Sequence, residues 1–131
     1  MILNVVIGDM KMNHDTINKI MKFRDERNWK QFHTPRDLAI SISIEAAELL
    51  ENFQWNPSDE NVINNKVKIA DELADVLIYC AYLSDVLNID IDKIVNDKIE
   101  KNSKKYSVEK AYGNSRKYDE AEDKTNDSLS K

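Results

Sequence analysis

Two glycines and two prolines in 131 residues set the tightest limit on what this chain can fold into. Gly8, Gly113, Pro35 and Pro57 are the only residues of those types. A β-sandwich or small barrel turns every few residues, and its turns draw on glycine for positive φ and on proline for a preset bend. This chain has little of that chemistry, so an all-β fold is not expected. The same scarcity excludes a phosphate-cradling loop, because neither G-x-G-x-x-G nor G-x-x-x-x-G-K-[ST] can be assembled from two glycines so far apart. Any phosphate ligand must then be held by side chains or by a metal.

The apolar periodicity predicts four helices. Asp15 can cap a first helix over about 16–28, where Ile17, Ile20, Met21 and Arg24 trace one stripe. Thr34-Pro35-Arg36-Asp37 combines a capping threonine, a proline at the first helical position and an early acid, and opens a second helix reaching about Gln54. Its apolar face is Leu38, Ile42, Ala46, Leu49 and Phe53. After the break at Trp55-Asn56-Pro57, Ser58 or Asp59 can cap a long third helix to about Leu87. From Leu73 to Leu83 that helix is apolar nearly all round, which predicts that it is surrounded. A fourth helix over about 91–105 follows a short turn and is expected to carry Ile91, Ile94, Val95 and Ile99 inward. Beyond Tyr106 the pattern dissolves. The predicted architecture is a four-helix-bundle-like domain over residues 14–118, assembled as an oligomer. Residues 1–13 are expected to be an irregular extension or the product of an early start codon. Residues 119–131, with five acids and two lysines, are expected to be a disordered tail.

Composition narrows the setting. The one cysteine, Cys80, cannot close an intrachain disulfide, and a reducing compartment, by default the cytoplasm, is expected. Nine uncharged residues between Asp75 and Asp85 form the most apolar run, against the roughly 18 needed to span a bilayer. The opening segment lacks the basic start of a secretory signal. A net charge of −5 gives no reason to expect a nucleic-acid polymer as partner.

The chemistry-bearing residues are acids placed where a core belongs. Glu45 and Glu48 stand three apart on the second helix, and Glu72 and Asp75 repeat the spacing on the third, so each pair shares a face. Acids so spaced often belong to a solvated face. Here, however, Ile44, Ala46, Ala47, Leu49 and Leu50 flank the first pair, and Asp75 opens the most apolar run. Buried, unpaired carboxylates cost several kcal/mol each and repel one another. Both penalties vanish if the two helices lie antiparallel and the pairs enclose a divalent cation. Oxygen ligands without imidazole or thiolate select a hard ion, most simply Mg²⁺, with Mn²⁺ as substitute. A di-iron site would want Glu-x-x-His, and His14 and His33 lie outside the acidic helices.

Mg²⁺ with few protein ligands commonly works on substrate phosphates. Lys98, Asn102 and Lys105 recur along one polar stripe of the fourth helix, and residues 93–118 hold eight basic and three acidic side chains. Residues 45–75 hold eight acids and two lysines. That asymmetry suits a polyanion bridged between metal and lysines, although a solvated lysine face would look the same. Trp29 and Trp55, each just past a predicted helix end, could contact a flat ligand or fill the core. His33 suits a local hydrogen-bonding role better than that of a base, and Cys80 that of an inert core thiol.

Taken in order, these segments resemble the MazG-like all-α nucleoside triphosphate pyrophosphohydrolases, and among them the branch that includes dCTP pyrophosphatases. The resemblance covers about residues 17–118. It is carried by Phe23-Arg24-Asp25-Glu26-Arg27-Asn28-Trp29-Lys30-Gln31-Phe32-His33, by the segment from Glu45-Ala46-Ala47-Glu48 to Trp55, by Glu72-Leu73-Ala74-Asp75, by Lys98 to Tyr106, and by Ser115-Arg116-Lys117-Tyr118. It implies Mg²⁺ at Glu45, Glu48, Glu72 and Asp75, phosphate and nucleotide contacts from Lys98, Asn102, Lys105 and Tyr106, and base-side roles for Trp29, His33 and Trp55. It further implies water attack on the α-phosphorus of a dNTP, dCTP-like pyrimidines favoured, with Glu48 or, second, Glu51 taking the proton. A homodimer or dimer of dimers and a part in cleansing the nucleotide pool belong to the same expectation. One departure is Ile44, where the broader family often has Glu and the dCTP-type branch tolerates an apolar residue. Two other readings remain open: a non-catalytic helical interaction module, and a related all-α dUTP-hydrolysing enzyme.

Overall fold

A computed structural model describes residues 13–55 and 59–118. The expected extension up to residue 12, the acidic tail and Ser58 lie outside the described residues. The helices are α1 (His14–Glu26), α2 (Pro35–Glu51), α3 (Asp59–Asn64), α4 (Lys66–Val86), α5 (Ile91–Lys105) and α6 (Val108–Ala111), with a 3-10 turn at Trp29–Phe32. No strand occurs among the described residues, and the all-α class holds. The chain divides into two compact units, Met1–Ile89 and Asp90–Lys131.

In the first unit the helix starts follow local chemistry. Asn13, not Asp15, caps α1: its Oδ1 accepts the Thr16 amide at 2.9 Å, while Asp15 pairs with Lys19 one turn along at 2.9 Å. Thr34 caps α2 by accepting the Asp37 amide at 3.1 Å, with Pro35 inside the first turn where its missing N–H costs nothing. The long third helix of the sequence reading is two helices. Asn65 interrupts it at φ −97°, ψ 10°, and α4 restarts there without a side-chain cap. The Asn64-Asn65 pair explains the break, since asparagine side chains compete for backbone hydrogen bonds and weaken helix interiors. α2 ends at Glu51, three residues short of Gln54, and Trp55 then adopts a left-handed φ of 64°.

α2 packs along α4, with α1 and α3 also against α4. Leu38 of α2 and Ala81 and Tyr82 of α4 are buried, joined by Arg24 of α1, the last residue of the apolar stripe read from the sequence. Within the first unit the described residues do not surround α4. Leu73 and Leu77 are 46% and 45% exposed, and Ile40 and Ile44 of α2 are as open.

α4 ends where Asn88 turns left-handed at φ 53°, letting the Ile89 amide reach the Ser84 carbonyl at 2.8 Å. In the second unit Asp90 caps α5 by accepting the Lys93 amide at 3.0 Å. Ile94, Val95 and Ile99 do not point into a core of this chain; all three are exposed. The short α6 occupies a stretch where no helix is expected from the sequence.

Candidate functional site

The packing of α2 on α4 brings the acids together. One carboxylate oxygen from each of Glu45, Glu72 and Asp75 lies within 4.8 Å of the others. Partial burial, then the negative charges of Glu48, Asp75 and Glu72, push the Glu45 carboxyl above its ordinary value. The same causes, burial followed by Glu48 and Asp75, raise Glu72. Glu48 thus acts electrostatically on members from both helices, and all four acids share one field. Glu45 Oε2 is buried and has no hydrogen-bond partner among the described residues. A buried acceptor in a nest of like charges is costly unless a cation meets it. An all-oxygen donor set without imidazole or thiolate suits a hard divalent ion. Glu51 closes α2, exposed and outside the group whose oxygens meet.

Around the turn after α1, Trp29 and His33 are held by neighbours the sequence does not announce. Trp29 meets Phe23 edge to face at 5.8 Å, with the Arg27 guanidinium 3.7 Å from the Phe23 centroid. His33 packs on Tyr82 at 4.9 Å between ring centroids. Burial, reinforced by the charge of Arg24, pushes the His33 imidazole below its ordinary 6.5, and its Nδ1 is buried without a partner among the described residues. Trp55, by contrast, is 89% exposed. Cys80 is a free, half-buried thiol that burial pushes up, a poor nucleophile.

His33 yields a prediction about acid stability. Its folded pKa lies below the unfolded 6.5, so its contribution is whole above pH 6.5 and is lost as the pH falls through the folded value. The melting temperature of His33→Gln should therefore decline less than that of the parent between pH 6.5 and 5. Parallel curves would show that His33 charges freely in the folded chain.

In the second unit Lys98 and Asn102 stand exposed along α5, and Lys105 and Tyr106 end it. Lys105 and Tyr106 also border a hollow shared with Lys110, Asn114, Arg116 and Tyr118. There Tyr106 meets Tyr118 edge to face at 5.9 Å, and the Lys105 ammonium lies 5.1 Å from the Tyr118 ring centroid. Sequence reasoning placed Arg24 in the apolar stripe of α1 and missed its partner Asp85, whose only sequence signal is that arginine among apolar residues. Among the described residues no helix is long and apolar enough to cross a membrane.

The chain is 36% identical over 104 residues to dCTP pyrophosphatase 1 of Homo sapiens, covering 76% of this chain and 61% of that protein. It is 34% identical over 102 residues to dCTP pyrophosphatase 1 of Bos taurus, covering 74% and 60% respectively. It thus spans about 60% of the length of these curated relatives. A crystal structure of a pyrophosphatase from Archaeoglobus fulgidus superposes with a TM-score of 0.68 at 43% identity, covering 74% of this chain and 99% of that one. The sequence profile of the MazG-like family matches residues 40–121, a stretch that contains Glu45, Glu48, Glu72 and Asp75, and the chain belongs to the MazG-like family.

Proposed function

We propose that the chain is a Mg²⁺-dependent nucleoside triphosphate pyrophosphohydrolase acting on dNTPs, with dCTP-like pyrimidines favoured and Mn²⁺ able to substitute. The observation that carries this reading is the meeting of Glu45, Glu72 and Asp75 under the charge of Glu48, in a chain whose relatives are named dCTP pyrophosphatases. Glu45, Glu48, Glu72 and Asp75 would hold the cation. Bound there, it supplies Lewis acidity, polarising the α-phosphoryl oxygen and lowering the pKa of the attacking water. Glu48 takes the proton of that water, with Glu51 as second candidate. The α-phosphorus gains a P–O bond to water and loses the bond to the bridging oxygen, giving the monophosphate and pyrophosphate. Lys98, Asn102, Lys105 and Tyr106 take up phosphate charge, and the net positive charge of residues 93–118 favours that role. The reading places the activity in the cytoplasm, in cleansing the nucleotide pool.

The base is held by aromatic faces, with Trp55 and Trp29 as platforms and His33 as a further base-side residue. A ring 89% exposed and a second one 43% exposed leave stacking surface open. Trp55→Ala or Trp29→Ala should raise the KM for dNTPs about tenfold, the loss of one stacking contact of roughly 1–3 kcal/mol. Folded variants with parental kinetics would return both rings to a packing role.

Self-association as a homodimer or dimer of dimers belongs to the same reading, supported by the apolar residues of α2 and α4 that one chain leaves open. The deciding experiment is pyrophosphate release from a panel of canonical and modified dNTPs, with Mg²⁺, with Mn²⁺ and with chelator. Release that needs the divalent ion is expected, fastest for cytosine nucleotides. No release from any nucleotide with either ion would end the proposal.

A further inference from the structure

Asp85, near the end of α4, ties three elements of the first unit together. Its Oδ2 accepts from Nη1 of Arg24 on α1 at 2.6 Å and lies 3.6 Å from the Lys30 ammonium in the turn. The Arg24 side chain is 3% exposed, and its Nε donates to Asp25 at 2.7 Å. Tyr82, one turn before Asp85, carries the His33 ring on its own ring and has the Arg24 guanidinium 5.7 Å from its centroid. The Tyr82 hydroxyl donates to the Ile20 carbonyl at 3.2 Å, anchoring that ring to α1.

A buried ion pair is a weak source of stability, because apolar residues of similar volume often serve as well or better. What this pair supplies is geometry, and it is applied to the turn bearing Trp29 and His33. With Nδ1 unpartnered, the His33 ring is located by packing against Tyr82 and by charge. Burial, and then the positive charge of Arg24, favour the neutral ring, which has one donor and one acceptor nitrogen. A neutral imidazole of fixed position, donor at one nitrogen and acceptor at the other, discriminates one pyrimidine edge from another.

We propose that Asp85, with Arg24 and Tyr82, forms a positioning cluster for base selection, setting where Trp29 and His33 stand. This rests on the reading of Trp29 and His33 as base-side residues. The cluster touches neither phosphate nor metal ligands in this account, so its loss should appear in KM and in the ranking of bases rather than in kcat.

The test uses the double variant Arg24→Met/Asp85→Leu, which removes both charges and leaves only the solvent-exposed Asp25 and Lys30 side chains without that partner. It is expected to melt at or above the parental temperature. Its KM for the preferred dNTP should rise about tenfold with kcat changed less than about twofold, and the kcat/KM ratio of best to worst dNTP should fall by about the same tenfold. A stable double variant with the parental ratio, or a parallel loss on every dNTP, overturns the proposal. Should the double variant not fold, Asp85→Asn, which keeps the shape and releases the charge, carries the same comparison. An unchanged ratio in folded Asp85→Asn is equally fatal. Trp29→Ala and His33→Ala separate the two levels: if they lower the ratio and the cluster variants do not, positioning alone fails. If none of them changes the ratio, the base-side reading fails with it.

Discussion

Glu48→Gln and Asp75→Asn are each expected to slow divalent-dependent pyrophosphate release about a hundredfold or more while leaving the metal-free protein at least as stable as the parent. The two effects have one cause. Without a cation, Glu48 and Asp75 repel Glu45 and Glu72, whose raised carboxyls record that strain, and Glu45 Oε2 has no partner among the described residues to offset it. Neutralising one acid relieves repulsion and removes a ligand or a proton acceptor at the same time. Adding Mg²⁺ should then raise the melting temperature of the parent much more than that of either variant, because binding stabilises only a fold that can coordinate the ion. In a non-catalytic helical module the acids would pair with lysines, and removing one would lower the melting temperature regardless of metal. Melting curves with and without Mg²⁺, run beside a pyrophosphate assay, separate the two. Destabilisation without any metal effect would sink the catalytic assignment.

The second large effect concerns assembly. Leu77→Arg should convert an associated protein into monomers at micromolar concentration and lower its melting temperature by about 10 °C or more. Full burial of such a side chain is worth about 2 kcal/mol, so covering the exposed half of Leu77, Leu73, Ile40 and Ile44 contributes about 1 kcal/mol apiece in every copy. A guanidinium in that position forfeits its own share and must be desolvated against apolar neighbours. For a domain of this size 1 kcal/mol moves the melting temperature by roughly 4–8 °C, so the loss should be plain in a thermal scan. Light scattering that finds the unaltered protein monomeric would remove the premise.

Local chemistry was the most legible part of this chain. Thr34-Pro35 with Asp37 announced the start of α2, because caps are written within four residues. The break at Asn65 was hidden because apolar periodicity runs through it, and the asparagine pair that causes it looks like any polar surface. At the site, the spacing of Glu45 with Glu48 and of Glu72 with Asp75 put each pair on one helical face. The meeting of Glu45 with Glu72 and Asp75 across α2 and α4 is a product of tertiary packing that no periodicity contains. Arg24 was read in the right stripe, yet Asp85, the residue that makes its burial tolerable, lies 61 positions away. The uncovered faces of α4 and α5 illustrate the same limit from the other side. An apolar stripe says that a surface is to be buried and does not say by what.

Trp55 sets foldability against use. A left-handed backbone costs a bulky residue roughly 1–3 kcal/mol, which glycine or asparagine largely avoids, and a ring 89% exposed recovers almost none of that by packing. Laboratory evolution for heat tolerance alone should therefore discard the indole and drift towards glycine at this position. Evolution for heat tolerance coupled to dNTP hydrolysis should keep the indole and find its stabilising changes elsewhere. The divergence of the two lineages at a single codon would measure what the ring is kept for.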